Sequence, residues 1–138
     1  MNRYRSLAEY HRAIRHLIAE HDLPSEVYKV KIVIDARLRD RGDIFADAIV
    51  FQNGATLRFQ ETVELDGGYI RRVAYSYGYK LGATAFRYER DPERAEPYTH
   101  SLCHLHVNES EIRYPTHETS FEEIFKFILA NFYGVKFP

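Results

Sequence analysis

The sequence predicts an α+β fold: a curved antiparallel β-sheet meander of about six strands, with an N-terminal and a C-terminal helix packed on one face. Three observations lead there. Apolar residues recur at helical spacing only at the two ends of the chain. Between them, period-two alternation repeats in short segments. Turn residues separate those segments at hairpin spacing, so each strand returns beside the last. A strand with one polar face needs a cover on the other, and the helices supply it.

The first helix is expected over residues 6–22. Ser6 and Glu9 have capping-box spacing, Leu7, Tyr10, Ile14, Leu17 and Ile18 form the apolar stripe, and Pro24 stops the element. A strand is expected over 27–39, with Tyr28, Val30, Ile32, Ile34, Ala36 and Leu38 on one face and Lys29, Lys31, Arg37 and Arg39 on the other. Residues 40–43 read as a turn. A second strand, 44–52, leads to Asn53-Gly54, a strong hairpin signal because both residues tolerate positive φ. The partner is 55–65, where Leu57, Phe59, Val63 and Leu65 alternate with polar neighbours. Asp66-Gly67-Gly68 makes the next turn, and strands follow at 69–80 and 83–90 around Gly82. Residues 91–98 form a polar loop with two prolines. A sixth strand covers 101–107, and 112–115 reads as a seventh strand or an extended edge. The last helix, 121–133, opens on Ser120 and Glu123 in the same capping spacing, and Gly134 closes it.

At 138 residues the chain has the length of one domain, 1–138. The formal charge of −1 gives no global attraction for nucleic acid, although it permits a local basic patch. The single cysteine, Cys103, excludes an internal disulfide and suits a reducing, cytoplasmic location. The N-terminal ten residues lack the apolar core of a signal peptide, and no run approaches a membrane span. Phosphate-loop, GxGxxG, CxxC and GxSxG patterns are all absent, which leaves ATP, dinucleotide and serine-hydrolase chemistry without support.

The segment "HSLCHLHV", 100–107, carries three of the seven histidines and the only cysteine. On a strand, His104 and His106 share one face, and Cys103, Leu105 and Val107 share the other. Cys103 is therefore expected in the core, as a small buried hydrophobe. His-x-His can point two imidazoles at one metal ion, with His100, Asp91 or Glu89 as further ligands, but none of these stands at a diagnostic spacing. Two imidazoles can also exchange protons near neutral pH. Arg87 on a neighbouring strand would bind phosphate, and Tyr75, Tyr77, Tyr79 and Tyr88 would stack bases or donate hydrogen bonds. A plain solvated strand face satisfies the same pattern. His11, His16 and His21 fall on or beside the polar side of the first helix and are expected to be solvated, and His117 falls in a loop. Arg71 and Arg72 point to opposite faces, so one of them is expected to be half-buried and paired.

The order of several short motifs resembles the TumE-like toxins of bacterial and archaeal toxin–antitoxin pairs. Tyr75-Ser76-Tyr77 matches a Tyr-Ser-Tyr strand, Arg87-Tyr88 an Arg-Tyr-Asp strand end, His104-Leu105-His106 a His-x-His strand, and "SFEEIFKFI", 120–128, the opening of the last helix. Glu89 stands where that pattern has Asp, with Asp91 two places on. A Pro-His-His loop is missing, since Glu93 and Arg94 follow Pro92. The resemblance implies a growth-inhibiting toxin neutralised by a helix-turn-helix antitoxin, with RNA as substrate and no cofactor or bound metal. On that footing His104 and His106 are expected as acid and base, Arg87 as the phosphate ligand and Asp91 as the residue that orients a histidine. Tyr77, Tyr88, Arg72 and His100 are expected to contact substrate. An oligomer is compatible with these expectations. Two other classes stay open: a non-catalytic module that binds protein or nucleic acid, and a metal-dependent His-x-His enzyme similar to cupins, whose barrel needs more strands.

Overall fold

Seven antiparallel strands lie in the order β1-β2-β3-β4-β5-β6-β7, so every strand pairs with its neighbours in sequence. The structure is a computed structural model that describes residues 2–21, 29–93, 102–108, 110 and 112–138. The elements are α1 (Leu7–Ala19), β1 (Lys31–Ile34), β2 (Arg41–Val50), β3 (Thr56–Asp66), β4 (Tyr69–Leu81), β5 (Thr84–Arg90), β6 (Cys103–Val107), β7 (Tyr114–Pro115) and α2 (Phe121–Phe132). This open meander is the predicted α+β architecture. Among the described residues the sheet does not close into the barrel of the cupin-like alternative.

Both helices start as their sequences require. The Ser6 hydroxyl accepts from the Glu9 amide, and the Ser120 hydroxyl accepts from the Glu123 amide. The reciprocal half of each box is displaced by one residue: the Glu9 carboxylate accepts from the Arg5 amide, and Glu123 accepts from the Thr119 hydroxyl. Leu7, Tyr10, Ile14 and Ile18 bury one stripe of α1, and Phe121, Ile124, Phe125, Ile128 and Leu129 bury one stripe of α2. These stripes meet Ile44, Ile49, Leu57, Phe59, Val63 and the three tyrosines Tyr75, Tyr77 and Tyr79 on one face of the sheet.

The largest departure from the sequence reading is the first strand. Residues 27 and 28 lie outside the described residues, and of the described part of that span only Lys31–Ile34 is extended. The Asp35 carboxylate accepts from the amides of Arg37 and Leu38, and that local bond turns the chain before the alternation is used. Val33, Ile34 and Leu38 are consequently exposed. Residues 40–43 are no turn: β2 already begins at Arg41, and Gly42 is needed inside it, because a Cβ there would come within 2.7 Å of the Val33 carbonyl oxygen. At the Asn53-Gly54 hairpin only Gly54 takes positive φ, and the Asn53 side chain instead accepts from the Ala55 amide. Gly67 and Gly68 do both take it, as a tight two-residue turn demands. Pro24 and most of the 91–98 loop lie outside the described residues, as does His100.

Register shifts occur between Ala46 and Ile49 in β2 and between Thr62 and Val63 in β3. Such bulges bend strands and increase their twist. The sheet is curved, and the face turned away from the helices holds a groove of about 870 Å³ bounded by Val33 of β1 at one side and His106 of β6 at the other.

Candidate active site on the concave face

Strand register sorts the polar residues into two rungs across the groove. One rung runs Arg58–Gly78–Arg87–His106 through β3, β4, β5 and β6. The next runs Gln60–Ser76–Glu89–His104 through the same strands. Gly78 contributes no side chain, which leaves open floor between Arg58 and Arg87. Asp43, Asp47, Phe45 and Lys80 complete the groove wall.

His104 and His106 do share a face, as the strand period requires, and Cys103 is buried on the other. The surprise is their accessibility: His104 is 2% exposed and His106 7%, whereas Val107, expected in the core, is 37% exposed. The two rings meet edge to face with centroids 4.9 Å apart. His104 Nε2 lies 3.5 Å from Glu89 Oε2, and His106 Nε2 lies 4.0 Å from Glu89 Oε1. Arg87 Nε donates to Glu89 Oε1. The second ring nitrogen of His106, Nδ1, lies 3.4 Å from the Ser110 carbonyl oxygen. A carbonyl can only accept, so Nδ1 carries the proton and the Nε2 lone pair faces the cluster. Burial lowers the His106 pKa; the Ser110 contact opposes that, and the Arg87 charge reinforces it. The ring is neutral at pH 7.

Of the expected site residues, Arg87, His104 and His106 come together, and Glu89 stands among them where Asp91 was expected. Tyr77, Tyr88 and Arg72 do not join them: all three are on the opposite, helix-covered side of the sheet. Tyr77 is fully buried with its hydroxyl donating to Glu61, so it has no face to offer a base. Tyr75 and Tyr79 are buried there too. Arg72 is the half-buried, paired arginine of the Arg71–Arg72 step. Its Nε donates to Glu61 Oε2 at 3.1 Å, and its Nη2 to the Tyr10 hydroxyl at 2.9 Å.

Glu61 itself went unnoticed in the sequence. It occupies an inward position of β3 with no exposed surface, and accepts from the Tyr10 hydroxyl at 2.6 Å, the Tyr77 hydroxyl, Arg72 and the Phe121 amide at 3.3 Å. The signal was present, since the Leu57–Phe59–Val63–Leu65 alternation runs through position 61. His11 and His21 also depart from the solvated reading: His11 Nε2 bonds the Val30 carbonyl at 2.7 Å, and His21 packs edge-on against Phe125 and Phe137. His16 is solvated and pairs with Glu20, and His117 is exposed in a loop, both as expected.

An open antiparallel sheet backed by two helices, with imidazole, carboxylate and guanidinium side chains on its concave face, defines a small α+β protein with a large groove lined by charged residues. A family model described as the toxin TumE matches residues 14–131, and the chain belongs to that toxin family. No curated protein and no solved structure gives a significant match. Among the described residues no helix is long and apolar enough to cross a membrane.

Proposed function

We propose that this toxin cleaves RNA without a metal ion, and that a helix-turn-helix antitoxin neutralises it. The observation that carries the reading is the Arg58–Gly78–Arg87–His106 rung. Two guanidinium groups flank open floor, and a neutral imidazole stands at the end. Guanidinium groups bind a phosphodiester through paired hydrogen bonds and stabilise charge developing on its oxygens.

Position relative to the groove separates the two histidines that the sequence treats alike. His106 lines the groove and is the base; His104 lies behind it and, with Glu89, is a positioning residue. His106 Nε2 takes the 2′-hydroxyl proton as O2′ bonds to phosphorus. The P–O5′ bond breaks, and the departing oxygen takes a proton from water. The hydroxide so formed is neutralised by the proton on His106. The products are a 2′,3′-cyclic phosphate and a free 5′-hydroxyl. Glu89 favours the imidazolium as it forms, which is the orienting role expected of Asp91.

The test is induced expression in a bacterial host, together with RNA cleavage by purified protein in chelator. Wild type is expected to arrest growth and release cyclic-phosphate ends. His106→Ala should lower cleavage by roughly 10²–10⁴-fold, and Arg87→Ala by about 10²–10³-fold. Growth arrest with intact RNA would discard the chemistry and keep the toxin. Absence of arrest by folded protein would favour the non-catalytic binding module.

A further inference from the structure

The geometry points to a second use of the same cluster: we propose that Glu89, His104 and His106 form a three-ligand site for a divalent transition-metal ion of zinc type. Each offers one ligand atom, and these atoms lie within 4.8 Å of one another. Atoms bound at about 2.0–2.1 Å to a tetrahedral ion stand roughly 3.4 Å apart. The separation of 3.5 Å between Glu89 Oε2 and His104 Nε2 already meets that spacing, and the third ligand atom, on His106, lies within 4.8 Å of both.

Three further features belong to a metal site. The donors are mixed: two imidazoles and one carboxylate, a set that suits zinc and its neighbours better than calcium or magnesium. A second layer is in place. The Ser110 carbonyl sets the His106 tautomer so that Nε2 faces inward, and Arg87 clamps Oε1 of Glu89 while Oε2 points toward His104. There is also an approach, because His106 lines the groove. Cys103 is no ligand, since it is on the other side of β6.

The experiment is calorimetric titration of untagged, metal-free protein with zinc chloride at pH 7.5, repeated with cobalt(II) to read coordination from its visible absorption. One equivalent should bind, with the spectrum of a four-coordinate site. Glu89→Gln and His106→Ala should each weaken binding by about 100-fold or more. Both must melt like wild type; His104 is too deeply buried for its variant to carry the test. His16→Ala and His117→Ala, at exposed histidines, should leave binding unchanged. A wild-type protein without saturable binding, or binding that survives Glu89→Gln and His106→Ala, overturns the site. Binding is read without RNA, so loss of metal binding and loss of RNA cleavage are separate results. Cleavage seen only in the metal-loaded protein would keep this site and replace the metal-free chemistry proposed above.

Discussion

The sheet carries a glutamate–arginine cluster on each face, and the two are built to opposite ends. On the helix-covered face, Glu61 is closed in by Tyr10, Tyr77, Arg72 and the first amide of α2. Every donor is in hydrogen-bond range, and both helices are tied to β3 through one carboxylate. Burial, with Glu61 beside them, pushes the phenols of Tyr10 and Tyr77 well up, so they remain protonated donors. On the concave face, Glu89 meets Arg87 closely but stands 3.5 and 4.0 Å from the two imidazoles, beside an open groove. A saturated cluster holds elements in place. The helix-covered cluster is therefore architectural, and the concave one, beside the groove, is where the proposed chemistry is placed.

The most severe break in that contrast is Glu61→Ala. It strands a buried guanidinium and two phenols, and should cost about 3–5 kcal/mol in urea unfolding. The double variant Glu61→Leu/Arg72→Met should recover most of it, because a packed apolar pair replaces a buried ion pair at little cost. A loss under about 1 kcal/mol for Glu61→Ala would show that this face does not depend on its network.

Gly78→Val should act in the opposite way. A Cβ at Gly78 makes only ordinary contact, 3.7 Å from Arg87 Cγ, and valine suits a strand. Stability is expected to hold or rise by a few tenths of a kcal/mol. RNA binding should weaken by about tenfold, the effect of roughly 1.4 kcal/mol, as the floor between Arg58 and Arg87 fills. Unchanged RNA affinity, measured by fluorescence anisotropy, would move the substrate off this rung.

The smallest effect concerns pH. His106 binds its proton less readily folded than unfolded, where an imidazole titrates near ~6.5. The unfolded chain thus gains the proton first, and stability falls as pH drops through ~6.5 toward the lower folded value. His106→Asn should flatten that part of the stability–pH curve. Unfolding midpoints at pH 7.5 and 5.5 measure the difference, and an equal slope in the variant would assign the acid sensitivity elsewhere.

Helices, caps and the meander were legible in the sequence because each rests on contacts within a few residues. Period two likewise put His104 and His106 on one face and Cys103 on the other. Three things were not legible. Asp35 ended β1 through a side-chain bond that alternation cannot register. Tyr77 and Arg72 looked like site residues because their types suit RNA, yet both lie on the helix-covered face and bond Glu61. Glu89 rather than Asp91 faces the histidines because β5 pairs with β6 at that position.

By itself, then, the sequence determined the α+β class, the order of elements and which side chains share a strand face, since local spacing and turn chemistry decide those. Only the tertiary structure decided which residues stand side by side across strands, and that the polar face of β6 is buried. Register and curvature arise from bulges and from packing between distant segments, and no periodicity along one strand encodes the partner it will meet.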